Sequence, residues 1–472
     1  MKITLYGEKN NDVIFAISDE NSVDTTENGW LFPNLAGNAA YSSNEVFSAS
    51  RSGEGLFIEP KSFGCMALEM PDADVEIEIL PITDHGSYVY RNLPISGGGY
   101  VTGFAFDEDG CLFCRTDIGG CYSCEPPYEV WNPLSHDADM DTEWLCSPLA
   151  LTCKNNSLYV LFGNHLGSFL GISSDKGKSF SFSPVPAFVH GNCLCRSTGE
   201  RIAAVSHCVF IGTRGAGLMK AELGESPLNW ESVTVSPDSG DELYVFKGHG
   251  SPHEKISACN DITFVYAADD STIIVGTAEE CGVYASYDGG VSFSRLPSQP
   301  KGESPFISQR CTAFGDLLFI SYSRSDADRS FMWYSYACDG SRLCDGRIYK
   351  YIRRNGVYEL LGDITPDHGK CGFSGIDIST CGKNLVCTTV CGAPDKIFLS
   401  HDFGESWTEV LSDKKSAAQA FGTPYMKPEN NNGQSVIHWM SDIKIVPDDC
   451  NSAYINTGTG VFRTRNLGSA VT

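Results

Sequence analysis

Short β-branched and aromatic runs alternate with clusters of Gly, Asp, Asn and Ser about every ten residues along most of this chain. The 3.6-residue spacing of an amphipathic helix is almost absent. A pattern of many short strands punctuated by turn residues predicts an all-β sandwich, barrel or propeller, and internal repeats choose among the three.

Three segments share the pattern Ser-x-Asp-x-Gly-x-Ser-aromatic: Ser173 to Phe180, Ser286 to Phe293 and Ser400 to Trp407, with their aspartates Asp175, Asp288 and Asp402 spaced 113 and 114 residues apart. Each resembles the Asp-box, a hairpin turn in which the carboxylate accepts local hydrogen bonds, Gly takes a conformation closed to other residues, and the aromatic packs between sheets. That role is structural, so no chemistry is expected on these aspartates. A second unit, a strand ending in Thr near Gly, recurs at Thr116, Thr213, Thr277, Thr388 and Thr457, with Phe162 and Ser321 at two degenerate positions. Six steps across the 341 residues from Thr116 to Thr457 give about 57 residues each, the size of one four-stranded blade with its loops. The prediction is a seven-bladed β-propeller over residues 86–472. Its first inner strand starts near Tyr100, and its last blade, from His438, runs out after about three strands. The strand-like stretch 88–94 is free to supply the fourth and close the ring. Residues 1–85 lack this period but hold strand-like runs such as Asp74 to Leu80, and predict a small β-sandwich-like accessory domain.

Composition then narrows the partners. Fifty-nine acidic against 34 basic residues give a net charge of -25, which repels phosphate backbones and anionic lipid, so neither nucleic acid nor membrane is an expected partner. A neutral sugar is compatible. No apolar run reaches the roughly 18 residues of a bilayer span, and the residues from Met1 to Gly7 lack a secretory signal's apolar stretch, so the expected compartment is cytoplasmic. The 20 cysteines accordingly read as mostly reduced thiols. Cys111, Cys114, Cys121 and Cys124 form two CxxC pairs with the spacing of a zinc site. Both pairs fall inside predicted strands without the Gly or Pro of a metal-binding knuckle, so no metal is expected there, and nothing else in the chain calls for a cofactor.

Three early segments, Asn92 to Phe104, Cys114-Arg-Thr-Asp117-Ile-Gly-Gly120 and Trp131-Asn-Pro-Leu, resemble the opening of glycoside hydrolase family 74, the xyloglucanases and related endoglucanases. Gly199 to Ala204, Phe210 to Leu218, Asp345 to Tyr351, Asp363 to Pro366, Phe373 to Ile376 and His438 to Ile445 continue the likeness in order, over residues 88–472. The last blade departs from it at Ile445-Val-Pro447. The resemblance implies inverting hydrolysis of a β-1,4-glucan. Family members carry two propellers with the cleft between them and this chain has one, so the implied substrate is an oligosaccharide derived from β-glucan or xyloglucan. The front domain, or a second copy in a homo-oligomer, would then help to shape the pocket.

Inverting hydrolysis needs one carboxyl to protonate the leaving oxygen and one to deprotonate water. The resemblance nominates the pair Asp117 and Asp442, and the blade count puts both at one face of neighbouring blades; Asp117 as base and Asp442 as acid is the assignment taken here, with the reverse left open. Sugars stack on exposed aromatics, which makes Trp439, Trp144, Trp333, Tyr334 and Tyr336 the platform candidates. His165, His207 and Arg115 are added as hydrogen-bond partners, whereas Trp131, Trp230 and Trp407 read as core. The Asp-boxes without a sialidase's arginine triad argue against that class. The competing reading is a non-catalytic scaffold or sugar-binding propeller, in which Asp117 caps a turn and Asp442 binds backbone amides.

Overall fold

The computed structural model describes strand backbone within the first 92 residues, and residues 100–467 other than 118, 129, 135–147, 165–166, 190–195, 238–241, 246–253, 279–281, 303–305, 326–342, 391–394, 412–438 and 459. The chain divides into two compact units, Met1–His85 and Gly86–Thr472. In the first, Lys2–Gly7 pairs antiparallel with Val13–Phe15 and parallel with Glu76–Pro81. A second sheet there has the order Asp24–Thr26, Gly29–Phe32, Gly55–Pro60, Phe47–Ser52.

The second unit is a seven-bladed β-propeller. Blade 1 runs Val101–Phe106, Leu112–Thr116, Cys121–Cys124 and Asn132–Pro133, and each later blade repeats this antiparallel meander. Blade 2 starts with Pro148–Lys154, blade 3 with Ile202–Ala204, blade 4 with Ile262–Ala267, blade 5 with Phe306–Phe314, blade 6 with Gly372–Ile378 and blade 7 with Ile443–Val446. Blade 7 has three strands of its own, ending at Gly460–Thr464, and its fourth is Tyr90–Asn92, paired antiparallel with Phe462 opposite Asn92. Tight turns follow from sequence: Asn155-Asn156 and Asn355-Gly356 all take positive φ at hairpin tips, the combination that a two-residue turn matching strand twist requires.

Blade strands are covered on both faces, so Leu112–Thr116, Ile273–Thr277 and Leu385–Val390 are buried throughout. The apolar core is therefore divided into wedges, one cluster for each pair of adjacent blades. Phe113 and Cys121 pack against Leu151 and Phe162 between blades 1 and 2, and Val101, Leu112 and Trp131 against Val446, Tyr454 and Val461 between blades 1 and 7. The cysteines split accordingly: Cys111 and Cys121 face blade 2, while Cys114 and Cys124 face blade 7. Four thiols on two sides of a sheet cannot converge on one ion, and burial pushes Cys111 and Cys124 up to about 12. Cys371, by contrast, is disulfide-bonded, an exception to the expectation of reduced thiols. Among the described residues no helix is long and apolar enough to cross a membrane.

The three Asp-boxes have one geometry. In the first, the Ser173 hydroxyl donates to Asp175 Oδ1 (2.7 Å) and accepts from the Gly177 amide (2.8 Å), while the Ser179 amide and hydroxyl donate to the two carboxylate oxygens (2.9 and 2.6 Å). Asp288 and Asp402 repeat these bonds. Gly177, Gly290 and Gly404 have φ of +85°, +81° and +89°, and a Cβ on any of them would run into Leu134, Phe210 or Ile364 of the preceding blade. The recurring threonines also acquire a reason. Thr116, Thr213 and Thr277 bond the carbonyls of Gly120, Gly217 and Gly282, closing the turn from second to third strand.

Hydrogen bonds from Ser406, hydroxyl before amide, hold the Asp402 carboxyl at about 2 against an ordinary 3.8, and Ser179 does the same for Asp175. A carboxyl whose folded pKa is depressed stabilises the fold fully above its unfolded pKa and loses that contribution as pH falls towards the folded value. The stability advantage of wild type over Asp402→Asn is therefore expected to be constant from pH 7 to 5 and to shrink as pH falls from about 4 to 2. Urea unfolding of both proteins across that range checks it.

Candidate functional site

Blade 1 begins at Tyr100 and its second strand ends at Thr116, so Tyr100 and Asp117 meet at one end of the central channel, here termed the upper end. Their backbones are joined by the Asp117 amide to the Tyr100 carbonyl (2.9 Å), and the Tyr100 amide donates to Asp117 Oδ1 (2.7 Å). Oδ2 of Asp117 pairs with Arg196 Nη1 at 3.2 Å. The same guanidinium lies 5.6 Å from the centroid of the Trp439 ring, which the Tyr100 ring meets edge-on at 5.7 Å. The Tyr100 hydroxyl bonds the Trp439 carbonyl and Ser441 Oγ, both at 2.5 Å. Behind them buried Asn456 donates to the Val101 carbonyl (2.6 Å) and to Ser441 Oγ (2.8 Å). Asp117, Tyr100, Arg196 and Trp439 thus form one contiguous group across the seam between the first and last blades.

Trp439 has φ of +61°. A bulky side chain in the left-handed region is strained, and such strain persists where surrounding contacts over-determine it, often at functional sites. Here the Ser441 amide and the Tyr100 hydroxyl both bond the Trp439 carbonyl, holding the ring at the rim, half-buried.

Deeper in the channel the polar groups are paired with one another. Arg310 of blade 5 crosses to blade 7, where Nη1 meets Asp442 Oδ2 at 2.9 Å, and to blade 1, where Nη2 donates to the Thr102 carbonyl at 2.9 Å. Arg115 Nε pairs with Glu200 at 2.9 Å and its Nη1 donates to Thr102 Oγ1 at 2.6 Å. Beyond these ion pairs a cavity of about 390 Å³, lined by the lower halves of all seven first strands, opens away from Asp117.

No family model matches the chain. It is 24% identical over 462 residues to the oligoxyloglucan-reducing-end-specific xyloglucanase of Emericella nidulans, covering 82% of this chain and 53% of that protein. Against a xyloglucanase of Acetivibrio thermocellus the identity is 26% over 426 residues, covering 80% and 48%. Among solved structures, the GH74 xyloglucanase from Xanthomonas campestris aligns with a TM-score of 0.61 at 24% identity, over 82% of this chain and 54% of that one. The chain is a GH74 xyloglucanase-like seven-bladed β-propeller. It spans about half the length of the curated relatives it matches.

Within this GH74-like propeller the nominated residues part company. Asp117 keeps 12% of its side chain exposed, whereas Asp442 has none. Asp442 Oδ2 accepts from Arg310 and from the Phe104 amide (3.0 Å), and Oδ1 from the Ile443 amide (3.0 Å). A general acid must reach the oxygen it protonates; Asp442 instead ties blade 7 to blades 1 and 5, the amide-binding role weighed as its alternative. Arg115 is likewise turned into the channel wall, 2% exposed, with its donors engaged by Glu200 and Thr102 rather than offered to a sugar. His207 lies in the turn between the first and second strands of blade 3, which is the lower end, opposite Asp117, so it is not part of this group. Trp439 lies half-buried beside Tyr100 and Arg196. Trp131, Trp230 and Trp407 pack between blades. Trp144, His165, Trp333, Tyr334 and Tyr336 fall outside the described residues. Sequence reasoning missed Arg196 and Tyr100. Tyr100 stood inside the family-like opening, but nothing local to Arg196 signals that it reaches a carboxylate of blade 1.

Removing one partner of a buried ion pair leaves the other charge uncompensated, which costs about 3–5 kcal/mol. Asp442→Ala is expected to lose stability of that order, and Tyr100→Phe only about 1 kcal/mol for its hydroxyl bonds. Denaturant unfolding of the two variants measures the contrast.

Proposed function

We propose that the rim formed by Asp117, Arg196, Tyr100 and Trp439 is the oligosaccharide site of a glycosidase acting on xyloglucan-derived chains, with Asp117 as one of its two acid–base carboxyls. The observation that carries this reading is the contrast between Asp117 and Asp442. Of the two family-nominated carboxyls, Asp117 alone reaches solvent, and it does so beside an aromatic ring held at the rim. The xyloglucanase relatives supply the substrate class.

In this reading Trp439 stacks on the apolar C–H face of a pyranose ring, with the sugar edge left to polar groups. Arg196 and the Tyr100 amide fix both oxygens of Asp117, and a fixed carboxylate is what accepting a proton from an attacking water requires. Inversion needs a second carboxyl across the glycosidic bond. With Asp442 committed to Arg310, that acid is a different residue, facing the rim from elsewhere in the protein.

A second reading follows from the same contrast: with one available carboxyl among the two nominated, the rim binds the oligosaccharide without cleaving it. Hydrolysis of xyloglucan oligosaccharides, followed by reducing-end release and product anomer, separates the two. A glycosidase is expected to lose on the order of 10²–10⁴-fold in turnover in Asp117→Asn while oligosaccharide binding by calorimetry persists. Trp439→Ala is expected to weaken binding in either case. Undiminished turnover in Asp117→Asn, or a product of retained configuration, defeats the catalytic assignment, and binding by wild type with no release at all supports the second reading.

A further inference from the structure

At the lower end of the propeller two cysteines from neighbouring blades meet. Cys381 lies in the turn between Gly372–Ile378 and Leu385–Val390 of blade 6, and Cys450 near the start of Asp449–Thr457 in blade 7. Their Sγ atoms are 2.8 Å apart across a sequence separation of 69 residues. The approach is built by the backbone on both sides. Thr380 Oγ1 donates to the Pro447 carbonyl (2.5 Å), and Asn384 Nδ2 to the Cys450 carbonyl (2.6 Å), so the two turns are fastened on either side of the sulfurs. Within blade 6 the turn is closed by the Ser379 amide to the Asn384 carbonyl (2.8 Å) and the Asn384 amide to Ser379 Oγ (3.0 Å). A disulfide has its sulfurs about 2.05 Å apart, so bonding requires a closing movement of roughly 0.8 Å.

Chemistry singles out the same pair. Cys111, Cys114, Cys121, Cys124, Cys311 and Cys387 are buried between blades, and burial raises each of their pKa values. Cys381 is exposed, and hydrogen bonding with Cys450, and then with Ser379, draws its thiol down to about 7. The thiolate is the nucleophile in exchange, and a thiol titrating near ambient pH is the favoured attacker.

We propose that Cys381 and Cys450 form a thiol–disulfide site that staples blade 6 to blade 7 on reaction with a low-molecular-weight disulfide such as oxidised glutathione. The Cys381 thiolate attacks one sulfur of that disulfide, giving a mixed disulfide at Cys381 and releasing one thiolate. The Cys450 thiol, losing its proton to solvent, then attacks Cys381 Sγ and expels the second thiolate. In sum two protein thiols are oxidised to one disulfide, and one small disulfide is reduced to two thiols. The crosslink closes a loop of chain that includes Trp439 and Met440.

The test starts from full-length protein reduced with dithiothreitol, desalted, treated natively with oxidised glutathione, alkylated, digested and mapped by mass. The expected result is a linked peptide pair containing Cys381 and Cys450, lighter by about 2 Da than the sum of the two thiol peptides. Cys450→Ser is expected to stop at glutathionylated Cys381, heavier by about 305 Da. Cys381→Ser is expected to yield no adduct at Cys450 under the same conditions. A thermal midpoint higher by about 5 °C in the oxidised than in the reduced wild type, and unchanged by the treatment in either variant, would accompany the crosslink. Both thiols fully alkylated after native oxidation, or the linked peptide arising only in urea, overturns the proposal.

Discussion

Closure of the ring is the constraint on which the rest of this structure depends. Each blade buries its two faces against its neighbours, so each pair of adjacent blades shares a core cluster and, among the described residues, no cluster is complete within one blade. Closure falls within blade 7, where the three C-terminal strands must pair with Tyr90–Asn92, the stretch that leads on into blade 1. It is held by Tyr90–Asn92 in the fourth strand position of blade 7, by the wedge of Leu112, Trp131, Tyr454 and Val461, and by Asn456 reaching the Val101 carbonyl. Arg310 adds a crossing tie from blade 5 to both sides of the seam.

The candidate site stands on that seam. Asp117 and Tyr100 come from blade 1, Trp439 from the entry to blade 7, and the Tyr100 hydroxyl joins the two sides. Bonds that close the ring therefore also set the geometry of the rim. This double use explains why two aspartates in family-like motifs differ so sharply. Asp442 is one residue inside the seam and is consumed by it, while Asp117 stands one residue past the end of its strand and retains access to solvent. The strained backbone of Trp439 belongs to the same economy: its carbonyl is wanted by Tyr100 and Ser441, and the ring is left at the rim as a result.

Of the two nominated carboxyls only Asp117 stands at the rim, and the chain spans about half the length of the relatives it matches. The central cavity is not continuous with that rim, because the Arg310 and Glu200 ion pairs lie between it and Asp117 and its lining runs to the lower turns at Lys154, Asp269, Thr380 and Pro447. A partner surface over the upper rim is what a hydrolytic reading requires.

How much of this was legible in the chain follows from the range of each interaction. The Asp-boxes were readable because all their bonds close within a few residues, from Ser173 to Ser179 and again at the two later repeats, so composition and spacing encode them completely. The blade step was readable for the same reason: its Thr and Gly pairs close one local turn each. By itself, then, the sequence determined the propeller, its seven-fold count and the structural character of Asp175, Asp288 and Asp402. Tertiary structure alone decided what the isolated charged residues do. Whether Asp442 meets water or Arg310, whether Arg115 reaches a sugar or Glu200, and which end of blade 3 carries His207 all depend on partners one to several blades away. An aspartate in a motif has the same local signature in either case, and only the long-range packing that buries or exposes its carboxylate tells the two apart.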